Sequence, residues 1–326
     1  MRQSAFSAAI AALAAAPILA AGGALAQSFP QKPVRIVIGF APGGTPDIAI
    51  RIFTPRLGEG LGQPVIVENR AGAGGILSME YTAKAPPDGY TLAFGASGTL
   101  LLSKSLYPNT AYDALTSFAP VGLFAKLSYM LVTPLGLPAR NLKEFVDLAK
   151  SQPGKLNYGS SSPGSLPHVL GEMFKIQSGT NIVAVNYKGS AEAVNAFLGG
   201  DVQMLVDGYP SLGPLVTTGK ARALLVTGTA RSGKLPDVPT AAEAGLPEFT
   251  VQSWLGLVAP AGTPPAVVQR INTELNRAVA SKDVIDGLER LTFEPFTTTP
   301  EQFAAMIRAD WPKWDGVVKK AGIKIQ

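Results

Sequence analysis

The sequence contains no cysteine and a single histidine, His168, among its 326 residues. The lack of cysteine excludes disulfides, thiolate nucleophiles and cysteine-ligated metal sites. One histidine without cysteine argues against a zinc site, and no H-E-x-x-H motif occurs. The segment Ala71–Gly75 contains a G-x-G but lacks both the full dinucleotide fingerprint and the lysine of a P-loop. The sequence therefore predicts neither a metal nor a cofactor.

Charge is sparse and mixed in this chain. Charged residues make up 16% of the sequence, and 28 basic against 23 acidic residues leave a formal net charge of +5. These charges form no runs, so the chain has no nucleic-acid footprint and favours small anions only slightly. A hydrophobic content of 46% excludes disorder, and 326 residues are enough for two α/β lobes.

The N-terminus has the features of a signal peptide, and no later segment is a transmembrane candidate. Arg2 supplies a positive charge, Ala5–Ala21 is an alanine-rich apolar stretch, and Ala24-Leu25-Ala26 is an A-x-A cleavage signal. A membrane anchor fits less well, because the stretch is rich in alanine rather than leucine and is interrupted by proline and glycine. We expect cleavage of residues 1–26 and export of a soluble periplasmic protein.

Strand-like and helix-like segments alternate along the rest of the chain. Buried strands are predicted at Val34–Phe40, Val65–Glu68 and Tyr90–Gly95. Helices are predicted between them, at Asp47–Leu61 and Ile76–Ala85. The same alternation resumes after residue 141. It is typical of an α/β fold in which a mostly parallel sheet is flanked by helices.

The predicted elements divide into two lobes. Residues Phe118 to Val132 form an apolar stretch that we predict to be weakly helical, and Pro55 is expected to kink or shorten the first helix. The chain is predicted to cross between two sheets near Phe124–Val132 and again near Phe249–Ala259. The predicted lobes of this clamshell are residues 27–125 plus 253–326 and residues 126–252.

The first candidate binding loop follows the strand Val34–Phe40, where the chain turns through Pro42-Gly43-Gly44 into a helix. Thr45 is predicted to be the helix N-cap and Pro46 to occupy the first helical position. Glycine lets the backbone approach a ligand, and the first N–H groups of a helix have no partner within it. The loop is therefore predicted to cradle an anion, although a plain strand-to-helix turn uses the same residues.

A second loop of this kind follows the strand predicted at Leu156–Tyr158. Its sequence, Gly159-Ser160-Ser161-Ser162-Pro163-Gly164-Ser165, offers several hydroxyl groups that donate and accept hydrogen bonds. Neither loop contains lysine or arginine, so we predict that neutral donors hold a carboxylate. Ligands of α/β sheets bind beyond the carboxyl ends of the strands, where both loops fall. Two facing loops of this type predict a small anion held between two lobes.

Two more polar groups are expected near the same cleft. Ser97-Gly98-Thr99 follows a predicted strand and should lie on the rim that carries the first loop, or else is an ordinary loop. Asp207 follows the strand predicted at Val202–Val206. It is expected either to accept a hydrogen bond from a ligand hydroxyl or amine, or to cap the next helix.

The residues argue against catalysis. Ser161 and His168 could form a nucleophile and its base, but no G-x-S-x-G motif is present and no aspartate can be assigned to orient the histidine. A lone histidine in the first turn of a helix is more often a capping or packing residue. The sequence therefore predicts no catalytic residue.

Several motifs, in order along the whole mature chain, resemble one family. They are Val34–Arg51, Pro64–Gly75, Pro87–Leu92, Tyr187–Ser190, Leu235–Thr240, Glu243–Gly245 and Gly256–Pro260. On these motifs the chain resembles the Bug family, the periplasmic receptors of tripartite tricarboxylate transporters. It departs from the family's usual residues at Ile50, Ser162 and Asn186, positions that would tune the ligand pocket.

The resemblance implies a two-domain periplasmic binding protein fold, or Venus flytrap, with a small organic carboxylate in the cleft and membrane transporter subunits as partners. The ligand-binding residues that it implies are Phe40, Ala41, Pro42, Gly43, Gly44, Thr45, Asp47, Thr99, Ser160, Ser161, Ser162, Gly164, Ser165, His168 and Asp207. The ligand expected is a di- or tricarboxylate or an aromatic acid, and the protein is expected to be a monomer. The alternatives are a periplasmic hydrolase or isomerase on the same clamshell and an orphan receptor that signals to a sensor.

Overall fold

The computed structural model describes residues 29–322, and the predicted signal peptide at 1–26 lies outside them. The strands are β1 (Val34–Ile38), β2 (Val65–Asn69), β3 (Thr91–Ala96), β4 (Phe118–Pro134), β5 (Asn157–Ser160), β6 (Val183–Asn186), β7 (Met204–Gly208), β8 (Ala221–Val226), β9 (Gln252–Pro260) and β10 (Phe293–Pro295). The helices are α1 (Thr45–Leu61), α2 (Ile76–Ala83), α3 (Ser103–Leu106), α4 (Leu142–Ser151), α5 (Leu166–Ser178), α6 (Ser190–Gly199), α7 (Tyr209–Thr217), α8 (Pro265–Val279), α9 (Lys282–Arg290) and α10 (Pro300–Ala321). Within the described residues, no helix combines the length and apolar character needed to span a bilayer.

The strands form one mixed sheet in the order β2-β1-β3-β9-β4-β7-β5-β6, with β8 and β10 also pairing with β4. Strand β1 lies parallel to β2 and β3, and strand β5 lies parallel to β6 and β7. We call the parts built on these two parallel groups the first and the second lobe. The antiparallel strands β4 and β9 lie between them. The predicted α/β class and parallel groups are confirmed, whereas the lobe boundaries stay a prediction.

Strand β4 corrects the prediction of a weakly helical stretch at Phe118–Val132, because its 17 residues are extended. From Phe118 to Ser128 it pairs with β9, and from Tyr129 to Pro134 it pairs with β7 and β8. Most of its side chains are buried. A strand covered on both faces is apolar throughout, so its pattern resembles that of a buried helix. Partners distant in the sequence decide between the two.

Helix α1 differs from its prediction at two points. Its N-cap is Gly44 and Thr45 is already helical, so the prediction that Thr45 caps the helix is wrong. The Thr45 hydroxyl bonds instead to the second lobe. Pro55 does not shorten the helix, which runs on for a further turn and a half. The neighbouring side chains Phe53 and Leu57 are fully buried, and this packing stabilises the helix around the proline.

Helix α10 begins with a capping box, as the T-x-x-Q spacing of Thr299 and Gln302 predicts. The Thr299 hydroxyl accepts from the Gln302 N–H, and the Gln302 side chain accepts from the Thr299 N–H. Helix α7, by contrast, has no counterpart in the sequence-based prediction. It contains Pro210 in its first turn and Pro214 inside it, residues that by themselves indicate a loop. Proline is tolerated in a first turn because no helical bond uses its nitrogen.

Candidate ligand-binding site

A cavity of about 50 Å³ lies between the two lobes, at the carboxyl ends of β1, β3, β5 and β7. Its walls are mostly small polar and apolar residues from both lobes. They are Phe40, Ala41, Gly44, Thr45, Pro46, Gly74, Phe94, Ala96, Gly98, Thr99, Leu127, Tyr129, Ser161, Leu166, Pro167, Gly189, Ser190, Asp207, Ser253 and Leu255. A water molecule needs roughly 10–15 Å³, so the cavity has room for only a few water molecules. A larger ligand can enter only when the lobes separate.

The structure brings together part of the set of site residues expected from the sequence. Those that line the cavity are Phe40, Ala41, Gly44, Thr45, Thr99, Ser161 and Asp207. Those that do not line it are Pro42, Gly43, Asp47, Ser160, Ser162, Gly164, Ser165 and His168. The second group belongs to the same two loops and the first turns of the helices that follow them. Several of its members hold the loops in place.

Three helices begin at this cavity. They are α1, which starts at Thr45, α5, which starts at Leu166, and α6, which starts at Ser190. The first N–H groups of a helix have no partner inside it, and its dipole places a partial positive charge there. Among the residues that the structure describes, no lysine, arginine or histidine side chain lines the cavity. An anion bound here would therefore be stabilised by helix dipoles and neutral donors.

Asp47 holds the first loop and does not face the cavity. Its carboxylate accepts from the Gly43 N–H at 3.0 Å and from Arg51 Nε at 3.0 Å. Asn69 Nδ2 donates to the same carboxylate at 2.9 Å and to the Phe40 carbonyl at 3.0 Å. Burial acts to raise the pKa of Asp47, but the hydrogen bonds that it accepts, from Arg51 above all, hold the pKa below its usual value. The ionised side chain thus fixes the path of the loop.

The serines of the second loop bond mainly within the loop. Ser165 is the N-cap of α5, and its hydroxyl donates to the Ser162 carbonyl at 2.7 Å. Ser161 Oγ donates to Ser165 Oγ over a long 3.4 Å, so this hydroxyl at the cavity wall is weakly held. Ser160 Oγ donates to Asn186 Oδ1 at 2.6 Å, away from the cavity. Among these four serines, only Ser161 lines the cavity.

His168 supports the second loop from behind. Its Nδ1 accepts from the Gly164 N–H at 3.1 Å, and its ring stacks against Tyr158. Gly164 has a φ of +71°, a left-handed conformation that favours glycine. Burial lowers the pKa of His168, which keeps the imidazole neutral and Nδ1 free to accept. Ser161 bonds to Ser165 and the His168 imidazole bonds to the backbone, so the described hydrogen bonds do not join the Ser161 hydroxyl to the His168 imidazole.

Asp207 is the buried carboxyl of the cavity. It accepts from Ser190 Oγ at 2.7 Å and from Thr45 Oγ1 at 3.1 Å. The Gly208 N–H donates to it at 2.6 Å, and Gly208 rather than Asp207 is the N-cap of α7. Burial raises the pKa of Asp207, and the hydrogen bonds that it accepts offset only part of this effect. No described lysine or arginine forms an ion pair with it.

Hydrogen bonds cross directly from one lobe to the other. Thr45 Oγ1 in the first lobe donates to Asp207 Oδ1 in the second, and it lies 3.0 Å from Ser211 Oγ of α7. The Gly74 N–H in the first lobe donates to Ser162 Oγ in the second at 3.1 Å. These bonds involve side chains and backbone at the cavity itself. They hold the cleft closed.

Two glycines allow the lobes to approach this closely. A Cβ on Gly189 would lie 3.0 Å from the Cβ of Ala41, and a Cβ on Gly208 would lie 3.0 Å from Cγ2 of Thr45. The φ angles of these glycines, 174° and −72°, are open to any residue. Glycine is therefore needed at both positions for space and not for backbone conformation.

Some cavity residues were not predicted from the sequence. Gly189 and Ser190 belong to a motif that carried the family resemblance, so a signal was present but no binding role was drawn from it. Gly74 lies in a segment that was set aside as an incomplete dinucleotide motif. Tyr129 and Ser253 come from the central strands β4 and β9 and carry no local signal.

A larger groove of about 780 Å³ lies on the other face of the central strands. Leu127 and Ser253 line the interlobe cavity, whereas their neighbours Ser128 and Gln252 line the groove. This follows from the alternation of side chains along a strand. The groove lies at the C-terminal end of α9, where the helix dipole disfavours anions, and no expected site residue lines it. The interlobe cavity is therefore the candidate site.

Comparisons with known proteins agree on one family. Residues 49–323 match the family model described as "Tripartite tricarboxylate transporter family receptor". Protein BugT of Bordetella pertussis (strain Tohama I) is 35% identical over 302 residues, a match that covers 92% of this chain and 93% of that protein.

Solved structures show the same similarity. The structure of the periplasmic binding protein BugD matches with a TM-score of 0.87 and 33% identity, covering 91% of this chain and 100% of that chain. The structure of MatC from Rhodopseudomonas palustris with bound malate matches with a TM-score of 0.85 and 33% identity, covering 89% of this chain and 100% of that chain.

Proposed function

This chain belongs to the tripartite tricarboxylate transporter receptor family, and on that premise we propose that it captures a small organic carboxylate and delivers it to membrane transporter subunits. Its fold is the two-lobed periplasmic binding protein fold, so the resemblance to the Bug family and the Venus-flytrap architecture are confirmed. Export through residues 1–26 fits the periplasmic setting of BugD and is part of the proposal.

One observation carries this proposal: helices from both lobes begin at a buried cavity that no basic side chain lines within residues 29–322. Such N-termini stabilise a small anion through unpartnered N–H groups and the helix dipole. A ligand that touches both lobes favours the closed form over the open form, because it binds the closed form better. The site can thus couple capture of an anion to closure of the cleft.

A solved relative supports the carboxylate class. The structure of MatC was determined with bound malate, and the structural match to MatC covers 89% of this chain. The hydroxyl groups and helix N-termini at the cavity suit the same chemical group. We propose a carboxylate held between loop residues 40–47 and loop residues 160–168, with Thr99 and Asp207 at the far end.

We propose a binding role and not an enzymatic one. The hydrolase alternative needs Ser161 to be activated by His168, but their hydrogen bonds go to Ser165 and to the Gly164 N–H. The imidazole Nδ1 already accepts a hydrogen bond from the Gly164 N–H and supports the loop. This arrangement favours a structural role for the histidine.

The proposal is tested on the mature protein, purified under mild conditions. Mass spectrometry of released small molecules identifies what the protein carries from the cell, and calorimetry with malate and other carboxylates measures affinity. We expect a carboxylate among the released molecules and saturable, one-site binding. A folded protein that releases and binds no carboxylate would contradict the proposal.

A further inference from the structure

Within the described part of the chain, one carboxyl group lines the interlobe cavity, and its surroundings indicate which ligands fit there. Among the described residues that line the cavity, Asp207 is the one acid, and no lysine, arginine or histidine accompanies it. The side chain is 7% exposed. A carboxylate ligand bound here therefore shares a small, closed space with a second acidic group.

The hydrogen bonds of Asp207 leave one acceptor position unfilled. An ionised carboxylate has two oxygens with about four lone-pair sites in total. Oδ1 accepts from Thr45 Oγ1 and from the Gly208 N–H, whereas Oδ2 accepts only from Ser190 Oγ. Because Asp207 lines the cavity, a ligand can supply the fourth donor. Both oxygens already have a partner, and a donor on the ligand would fill the remaining acceptor site of Oδ2.

The charge of Asp207 also favours a ligand that carries a hydrogen-bond donor. All three of its partners are neutral, and burial raises its pKa because no cation offsets the loss of water. A second carboxylate on the ligand would add like charge to this weakly screened space. An ammonium or hydroxyl group on the ligand would instead donate to Oδ2, and an ammonium would also neutralise the charge.

We propose that Asp207 determines specificity by selecting carboxylates that carry their own hydrogen-bond donor, an ammonium or a hydroxyl, over dicarboxylates that carry none. This inference rests on the proposed function, because it narrows the class of carboxylate that the receptor captures. The malate bound to MatC carries a hydroxyl donor, so a ligand of that kind meets the requirement.

A matched set of ligands tests this directly on the unaltered mature protein. Succinate, 3-hydroxypropanoate and β-alanine share a carboxylate and two methylene groups and differ only in the group at the far end. We expect calorimetry to show β-alanine and 3-hydroxypropanoate binding at least about tenfold more tightly than succinate. Succinate binding as tightly as the other two would overturn the inference and leave the proposed function standing.

A measurement with malate distinguishes a failure of this inference from a failure of the proposed function. If malate and succinate bind equally tightly, the inference is wrong and the receptor function survives, because malate is succinate with an added hydroxyl donor. If malate and every other carboxylate fail to bind to a folded protein, the proposed function itself is wrong. The wild-type measurements thus decide the matter whatever happens to any variant.

The variant Asp207→Asn tests whether this side chain is the cause. Removing the charge should raise succinate affinity and lower β-alanine affinity, so that their ratio shifts by about tenfold. Asp201→Asn is the matched control, because it removes one exposed carboxyl in the same lobe and should leave the ratio unchanged. A folded Asp207→Asn protein that loses affinity equally for all ligands would show a purely structural role and overturn the inference.

Discussion

Gly43 and Gly44 are adjacent in the first binding loop, but they have different backbone conformations. Gly43 has a φ of +76°, which favours glycine, whereas Gly44 has a φ of −77° and is the N-cap of α1. A Cβ on Gly44 would make only ordinary contacts, the nearest being the Ala41 carbonyl at 3.4 Å and Ser190 Oγ at 3.8 Å. Gly43 is therefore needed for the turn, whereas Gly44 leaves space between the lobes that only a side chain larger than that of alanine would fill.

The substitution Gly44→Val separates these roles. The valine fits the backbone, so the protein should fold, but its side chain points toward Ser190 of the other lobe and fills the cavity. We expect loss of ligand binding by calorimetry with a nearly unchanged melting temperature. Binding at wild-type affinity in a folded Gly44→Val protein would place the ligand elsewhere.

His168 gives the stability of the protein a dependence on pH. Burial lowers its native pKa below the value of about 6.5 expected in the unfolded chain, so the unfolded chain takes up the proton first as the pH falls. The stabilisation is complete above about pH 6.5 and is lost as the pH falls through the native pKa. Protonation also gives Nδ1 a hydrogen that faces the Gly164 N–H.

The variant His168→Gln checks this effect. Glutamine can accept from the Gly164 N–H through its amide oxygen but does not titrate. Thermal melts between about pH 7 and pH 5 should show a larger drop in melting temperature for the wild type than for the variant. Parallel pH profiles for the two proteins would mean that His168 does not titrate in this range.

At the scale of the elements, the site consists of the places where strands end and helices begin. Helix α1 comes from the first lobe, and α5 and α6 come from the second, so each lobe presents N–H groups to the same cavity. The start of α6 is held close to the first loop because Gly189 has no side chain. The close approach of these helix N-termini brings the N–H groups of both lobes into one binding site.

The substitution Gly189→Val should hold the helix starts apart. Its side chain would meet Ala41 across the cleft, while its own extended backbone accepts valine without strain. We expect weaker ligand binding by calorimetry without loss of stability. Gly136→Val is the control, since Gly136 lies in a loop with open space around its Cβ position. Equal affinities for the two variants would show that this contact does not limit closure.

At the scale of the molecule, the central strands β4 and β9 separate two openings. The interlobe cavity lies on one face and the large groove on the other. We expect the lobes to rotate about these strands when the cleft opens. The closed form shown here is held by a few hydrogen bonds, which contribute about 0.5–1.5 kcal/mol between neutral groups and about 1.5–3 kcal/mol to a carboxylate, so a ligand can shift the equilibrium between open and closed forms.

Closure can be measured in solution. Small-angle scattering of the mature protein should show a smaller radius of gyration with saturating ligand than without it. The reason is that the ligand contacts both lobes and favours the closed form. An unchanged profile at saturation, with binding verified by calorimetry, would argue against a hinge between the lobes.

The sequence by itself determined the alternation of strands and helices, because turn residues and apolar runs act locally. It also determined the neutral character of the two loops and the capping box at Thr299, since each depends on residues a few positions apart. The family could be recognised from several motifs along the chain, because each motif is a short local pattern and the motifs occur in the family's order.

Only the tertiary structure decided which of these residues form the site. Phe118–Pro134 is a strand because β9, β7 and β8 lie beside it, and its apolar pattern suits a helix equally well. Asp47 and Asp207 both follow strands, but Arg51 and Asn69 turn the first away from the cavity while the second lines it. The bond between Thr45 and Asp207 joins residues 162 positions apart. Such contacts depend on how the lobes pack, and no local pattern encodes that distance.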